Sequence, residues 1–256
     1  MSAANLQLSI LIPVRDEALN IPILLKLLTA AVETPHEVLI IYDYPEDNSV
    51  VAAQSIQSKY PHLRLVYNDL GPGVGNALRK GVEAAQGQYI LITCIDEVGP
   101  LLAIDDMVAL LDEGCDFVSG TRYAYGGRRL HGSLAGIIFS TFANFLFRQC
   151  GYVLTDATTA FKMLKRSSFD QLNLQSRPIG WVVAFEIGIK AQLAGFKLGE
   201  VPVVSIDRIY GGQSTFRFWS WMVEYSKWFV WGAEQLAGQK GPKPTVKIRI
   251  PKITPR

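Results

Sequence analysis

The chain has 256 residues, 49% hydrophobic and 19% charged, with 25 Lys and Arg against 23 Asp and Glu. That apolar fraction excludes wholesale disorder, and the length suits one large core. The net charge of +2 excludes a strongly polycationic nucleic-acid binder, so no nucleic-acid partner is expected. The balance is uneven, however. Beyond Glu234 stand Lys240, Lys243, Lys247, Arg249, Lys252 and Arg256 with no acid, so the first 239 residues hold 19 positive against 23 negative groups, a net of −4.

Taken in order, apolar runs at Leu8–Val14, Val38–Ile41, Leu63–Val66, Tyr89–Thr93 and Phe117–Ser119 read as buried strands. Helical patterns lie between them at Ile21–Val32, Ser49–Ser58, Val74–Ala85 and Leu101–Leu111. This alternation predicts βαβ units, an α/β fold and a mostly parallel sheet flanked by helices. Ligands of such sheets bind beyond the C-terminal strand ends. Polar clusters fall there: Arg15-Asp16-Glu17, Asp43, Asp96-Glu97 and Arg122.

The second half is less regular. Residues 132–149 read as a helix, Phe161–Leu164 as a short strand, Ala184–Ala194 as a helix and Lys197–Val204 as a strand. Leu130 to Phe147 carries no Asp, Glu, Lys or Arg over 18 residues, the lower edge of membrane-spanning length, yet holds five polar residues. A buried or membrane-surface helix is the expectation. Phe216 to Trp231 holds eight aromatics in 16 residues, including four of the five tryptophans. Helical spacing makes it either a core-facing helix or one lying in a membrane interface. The basic tail from Gly238 holds four of the 13 prolines and is expected to be poorly ordered in isolation, with a short edge strand possible at Val246–Ile250. The three cysteines form no paired motif, and the three histidines no metal motif. A reducing, cytoplasmic setting is the expectation.

Gly71-Pro-Gly-Val-Gly-Asn-Ala77 has the wrong spacing, and follows the wrong strand, for a dinucleotide fingerprint. It is either a tight loop opening a helix or a place where backbone approaches a ligand, with Gly75 and Arg79 as contacts. A carboxylate at a strand end suits ribose hydroxyls or base N–H groups, as at Asp43 or Glu17. Arginines clamp phosphate, which makes Arg122, Arg128, Arg129 and Arg208 candidates. Asp156, by its own surroundings, could hold its own turn with Thr158 or Thr159.

The order of motifs resembles the family 2 glycosyltransferases of GT-A fold, in particular the polyprenyl-phosphate sugar synthases. The residues that carry the resemblance are Ser9–Glu17 with Asn20-Ile21, Glu37–Asp43 with Asp47, Gly73–Ala77 through Gly87, Ile90–Asp96 in the place of the D-x-D segment, Ser119–Tyr123, Asp156–Phe161, Glu200-Val-Pro202, and Asp207-Arg208 with Gly212 and Ser214. It implies a Rossmann-like nucleotide-diphospho-sugar transferase domain over residues 1–237. The nucleotide half would cover about 1–122 and the acceptor half about 123–237, including the aromatic helix at 216–231, followed by a tail at 238–256. It further implies an inverting transfer from a nucleotide-sugar donor to a lipid phosphate at the cytoplasmic membrane face; separately, the aromatic segment and the six tail charges predict contact with an anionic membrane surface. Pro13, Arg15, Glu17, Asp43, Gly75, Arg79, Asp96, Arg128, Arg129 and Ser214 would bind substrate, and Asp156, Arg122 and Arg208 would act in catalysis, Asp156 as an acceptor-facing base or orienting group.

A divalent cation, Mg²⁺ or Mn²⁺, would neutralise the diphosphate on Asp96. Here the sequence departs from the family. Cys94 stands where the first Asp of D-x-D is expected, and a neutral thiol is a poor ligand for a hard cation. Glu97, in a continuing strand, would point to the other face. Tyr42, Tyr44-Pro45, Asp16 and Ala160 are smaller departures. The alternative is a weak or inactive GT-A module that binds a sugar nucleotide or a partner protein.

Overall fold

A computed structural model describes residues 6–130, 134–206 and 218–251. Its first half follows the expected alternation: β1 (Leu8–Val14), α1 (Ile21–Ala31), β2 (His36–Tyr42), α2 (Asn48–Ile56), β3 (Leu63–Tyr67), α3 (Val74–Ala84), β4 (Tyr89–Ile92), α4 (Ile104–Asp112) and β5 (Phe117–Thr121). Then come β6 (Arg128–Leu130), α5 (Leu134–Gln149), β7 (Lys162–Lys165), α6 (Val182–Leu193), β8 (Leu198–Pro202), β9 (Val204–Ile206), α7 (Phe218–Gly238) and β10 (Val246–Ile248).

The main sheet has eight strands in the order β10-β8-β5-β7-β4-β1-β2-β3, and β6 pairs with β9 in a separate ribbon. Strand β1 shows why a central position forms. Leu8, Ile10, Ile12 and Val14 enter one buried cluster and Leu11 the other, so both faces are covered by helices. All pairings in the main sheet are parallel except those of β7, which runs antiparallel between β4 and β5. That reversal matters for the site. The first residue of β7, Lys162, lies opposite Ile92 at the end of β4 and Ser119 near the end of β5. The chain that precedes β7, including Asp156, therefore arrives at the same edge as the C-terminal ends of the parallel strands.

One expectation is revised and another is met. The strand read over Lys197–Val204 is two strands, because β8 leaves the main sheet after Pro202 and β9 joins the ribbon. The edge strand offered at Val246–Ile250 forms, so the C-terminal tail enters the sheet. Strand β10 pairs in parallel with β8, Ile248 lies opposite Glu200, and the Arg249 backbone N–H donates to the Glu200 carbonyl at 3.1 Å. The Arg249 guanidinium bonds Asp106 at 2.7 Å and Glu113 at 2.9 Å, both on or just after α4.

Candidate active site

The C-terminal edge of the sheet gathers a charged cluster around Asp156, which is fully buried. Its carboxylate accepts seven hydrogen bonds: from the Arg122 backbone N–H, Nε and Nη2, Asn144 Nδ2, the Thr158 backbone and hydroxyl, and the Thr159 backbone. Arg122 Nε and Nη2 grip it two-pronged, at 2.7 and 3.0 Å. Burial alone would raise its pKa, but the Arg122 charge and these donors outweigh it and hold the carboxyl down at about 2. A carboxylate so saturated has no lone pair to spare for a proton. Of its two expected catalytic roles, acceptor-facing base or orienting group, this geometry supports the second. It also contains the turn with Thr158 that the sequence offered as the plainer reading.

Two further buried charges lie below this pair. Lys162 is fully buried, and Nζ donates to the Thr159 carbonyl. Desolvation lowers its pKa to about 8, against the pull of the Asp156 charge. Glu200, on β8, is also fully buried. One of its oxygens accepts from the Thr155 backbone N–H at 2.6 Å and the Thr155 hydroxyl at 3.0 Å, while the other has no partner among the described residues. Desolvation pushes its pKa up to about 7. The Thr155 hydroxyl in turn lies 2.5 Å from that of Thr121, the residue before Arg122. Glu200 thus ties β8 to the loop that carries Asp156 and to the strand end that carries Arg122. Sequence reading gave neither Lys162 nor Glu200 a role. The available signal was a charge beside apolar strand residues, Phe161 and Met163 around Lys162 and Val201 after Glu200, which a protein does not bury without partners.

Past β4 the chain turns at Ile95-Asp96 instead of extending. Because β4 stops at Ile92, the alternation that would have sent Glu97 to the opposite face does not apply. The Glu97 charge instead raises the proton affinity of both Arg122 and Lys162, so it lies within electrostatic reach of the cluster. Desolvation first, then the charges of Asp96, Glu97 and Glu17, push the half-buried Cys94 thiol well above its usual pKa, and Arg122 only partly offsets them. The thiol stays protonated and does not act as a hard-cation ligand. Among the described residues, no group of three or more His, Cys, Asp or Glu side chains is arranged to hold a metal ion. The donor set present, Asp96 with a protonated thiol nearby, suits an ion carried largely by phosphate oxygens and water, as Mg²⁺ permits.

The other expected residues divide. Asp43, beyond β2, accepts from Asn68 Nδ2 at 2.7 Å and the Gly73 backbone N–H at 2.9 Å, so it fixes the glycine loop. Arg15 is exposed and its guanidinium lies 5.5 Å from the Tyr44 ring centre. Glu17 is half-buried and accepts from Asn20 Nδ2 at 2.5 Å. Pro13 is a half-buried β1 residue opposite Ile41. The neighbouring Asp16 takes φ 56, with its N–H bonded to Asp47, the N-cap of α2.

The glycine loop is shaped by packing. Gly73 has φ 120, and a Cβ there would collide with the Pro178 carbonyl; one at Gly75 would sit 3.7 Å from Pro178 and from Arg79. Arg79 donates to the Leu174 carbonyl at 2.7 Å and to Asn76 at 3.1 Å. The loop and Arg79 therefore seat the 174–178 segment. Arg128 is exposed on the ribbon, while Arg129 is half-buried and reaches the Gly136 carbonyl at 3.4 Å. Arg208 and Ser214 lie outside the described residues.

A family model for glycosyl transferase family 2 matches residues 9–172, a span containing most of this cluster. The chain belongs to glycosyltransferase family 2. Among curated relatives, a dolichol-phosphate mannosyltransferase of Pyrococcus furiosus is 24% identical over 236 residues, covering 87% of this chain and 64% of the relative. One of Mycosarcoma maydis is 25% identical, covering 76% and 68%. Glycosyltransferase AglD of Haloferax volcanii is 23% identical over 79% of this chain and 33% of its own length. The chain thus spans less than two thirds of the first of these relatives. Among solved structures, glucosyl-3-phosphoglycerate synthase of Mycobacterium tuberculosis, in complex with Mn²⁺, UDP and glucosyl-3-phosphoglycerate, superposes with TM-score 0.65 at 15% identity, covering 93% of this chain and 82% of that one. Its complex with phosphoglyceric acid gives 0.64 at 16% identity over the same shares. These neighbours establish the GT-A fold.

Proposed function

We propose that this family 2 glycosyltransferase moves a sugar from a nucleotide-diphosphate donor to a lipid phosphate, a polyprenyl phosphate, with inversion at the anomeric carbon. The observation that carries this reading is the state of Asp156, bound by seven donors and held at about pKa 2 beside the transfer edge. An acceptor that needed deprotonation would call for a base there. A phosphate monoester is already ionised near neutral pH and needs none. Its oxygen attacks the anomeric carbon in line, the bond from that carbon to the diphosphate oxygen breaks, and the nucleoside diphosphate departs with the electron pair. The names of the curated relatives favour the same acceptor class.

Arg122, fixed by Asp156, meets the charge that develops on the leaving diphosphate. Arg208 is assigned the same task from the sequence. Asp43, Glu17, Arg15 and Pro13 form the strand ends where the nucleoside binds. Asp96 would hold a divalent cation, which supplies charge neutralisation on the diphosphate when bound. Arg128 and Arg129, on the ribbon at the acceptor half, are assigned to the lipid phosphate, and the reaction to the cytoplasmic face of a membrane.

The test is incubation of the purified protein with radiolabelled nucleotide sugars and polyprenyl phosphate. Label should pass into the organic phase, and no transfer from any common donor would overturn the reading. The protonated Cys94 thiol favours one rival, a module that binds the nucleotide without turnover. Calorimetry separates them: UDP or GDP binding indifferent to Mn²⁺, with no transfer, selects the rival.

A further inference from the structure

At the corner where β1, β2 and β3 end, the polar side chains that could read a ligand's edge are turned inward. Both oxygens of half-buried Asp43 are engaged, one by Asn68 Nδ2 and the other by the Gly73 N–H. Asn68 is buried, and its amide is committed as well. Nδ2 also donates to the Gly71 carbonyl at 2.8 Å, and Oδ1 accepts from the Leu70 N–H at 3.2 Å. Buried Asp47 accepts from the Asp16 and Ser49 N–H groups.

Two planar side chains at the same corner are exposed instead. Arg15 follows the last residue of β1, and Tyr44 lies two positions beyond the end of β2. The Arg15 guanidinium sits 5.5 Å from the Tyr44 ring centre, and that ring is 40% exposed. Asp16, Glu17 and Glu46 are close by in the chain, yet Arg15 makes no ion pair among the described residues. The backbone sets the pair in place, and one residue ties both members. The Asp47 N–H donates to the Tyr44 carbonyl at 3.1 Å, and the Asp47 carboxylate accepts from the N–H of Asp16, next to Arg15, at 3.1 Å. Asp16 itself takes φ 56, a left-handed conformation uncommon for a residue with a Cβ. Such conformations persist where neighbours over-determine them, and they gather at ligand sites. Pro45 further restricts Tyr44 to extended backbone.

We propose that Arg15 and Tyr44 form a stacking platform for the nucleobase of the donor, so that the site recognises the base by its face and discriminates little by its edge. A guanidinium and a phenol ring both stack on aromatic planes, and every base offers a π-face. Strand β1 lies between β2 and β4 in the sheet. A base on this corner therefore directs its diphosphate across the end of β1 toward Asp96, beyond β4. The platform presupposes the nucleotide-diphosphate donor proposed above and specifies how its base is held.

The test is isothermal calorimetry of the full chain with GDP, ADP, UDP, CDP and inorganic diphosphate in the presence of Mg²⁺. The wild type should bind GDP and ADP with affinities within about tenfold of each other, and UDP and CDP likewise. Tyr44→Ala should weaken all four nucleotides by about tenfold or more, with inorganic diphosphate and the thermal transition unchanged. Tyr44→Phe keeps the ring and should bind like the wild type. Arg15→Ala should weaken the nucleotides more than inorganic diphosphate; an equal loss would make Arg15 a phosphate contact and overturn the platform. Tyr44→Ala protein that binds nucleotides like the wild type also overturns it and leaves the donor reading intact. So does a preference of more than about a hundredfold between the two purines, which takes a hydrogen-bonded edge. Wild-type protein that binds none of the four nucleotides overturns platform and donor together. Nucleotide binding that Tyr44→Ala weakens, without any sugar transfer, supports the platform and overturns only the transfer reaction.

Discussion

Asp156 and Arg122 are separated by 34 positions in the chain and meet at 2.7 Å with Asp156 fully buried and the Arg122 side chain 9% exposed. Neither charge reaches water freely, so each is tolerable only because the other is present. Replacing Asp156 by Asn leaves the guanidinium buried and unpaired. That change should destabilise the protein by about 3–5 kcal/mol, read as a lower thermal transition, and should abolish transfer. Cys94 shows the reverse relation, a residue whose state its neighbours decide. Its identity was readable from the sequence, but its protonation follows from desolvation and from three nearby carboxylates. Glu97 is the instructive miss. Period-two alternation sends it away from the site only if β4 continues, and the turn at Ile95-Asp96 ends that argument.

Elements were more legible than their partners. Buried parallel strands are short apolar runs, so β1 to β5 stand out against amphipathic helices. Strands β6 and β9 have three residues each, too few for any period to show. The antiparallel insertion of β7 leaves no mark on its own sequence, because pairing direction is a property of neighbours. Strand β10 is similar, since alternating Val-Lys-Ile suits an edge strand or an extended tail equally. Its attachment has two parts of unequal weight. The Arg249 side chain is 40% exposed, so its ion pairs contribute no more than about 1 kcal/mol. The ladder to β8 covers an edge that carries buried Glu200. Arg249→Ala should therefore shift the thermal transition only slightly. Truncation after Gly241 should lower it clearly and promote association through the bared edge of β8; equal shifts for the two variants would contradict this division.

Across the whole molecule, the buried cluster makes stability depend on pH. Glu200 ionises ordinarily at 4.5 and in the fold at about 7. With the folded value raised, its contribution is complete below 4.5 and is lost as pH rises through 7. Lys162 is lowered from 10.5 to about 8, so its contribution is present above 10.5 and lost as pH falls through 8. Asp156, lowered from 3.8 to about 2, contributes above 3.8 and loses that contribution as pH falls through 2. Glu200→Gln cannot ionise. Its thermal transition should gain on the wild type as pH rises from 4.5 to 7, and calorimetric scans across that window read the difference.

The sequence by itself determined the fold class, the chain order of the first nine elements and the strand ends at which the candidate site gathers. These follow from local periodicity and from the rule that parallel sheets bind beyond their C-terminal edges. It also determined the family, because ordered motifs survive where overall identity is low. The tertiary structure alone decided which charges meet. Asp156 was readable as a functional acid but not as one saturated by Arg122, and Arg79 was readable as a ligand contact beside the glycine loop but not as a donor to the Leu174 carbonyl. The six tail charges were readable as lipid contacts, yet Arg249 serves the sheet. Hydrogen-bond partners, desolvation and exposure are set by residues distant in the chain, and no local pattern encodes them.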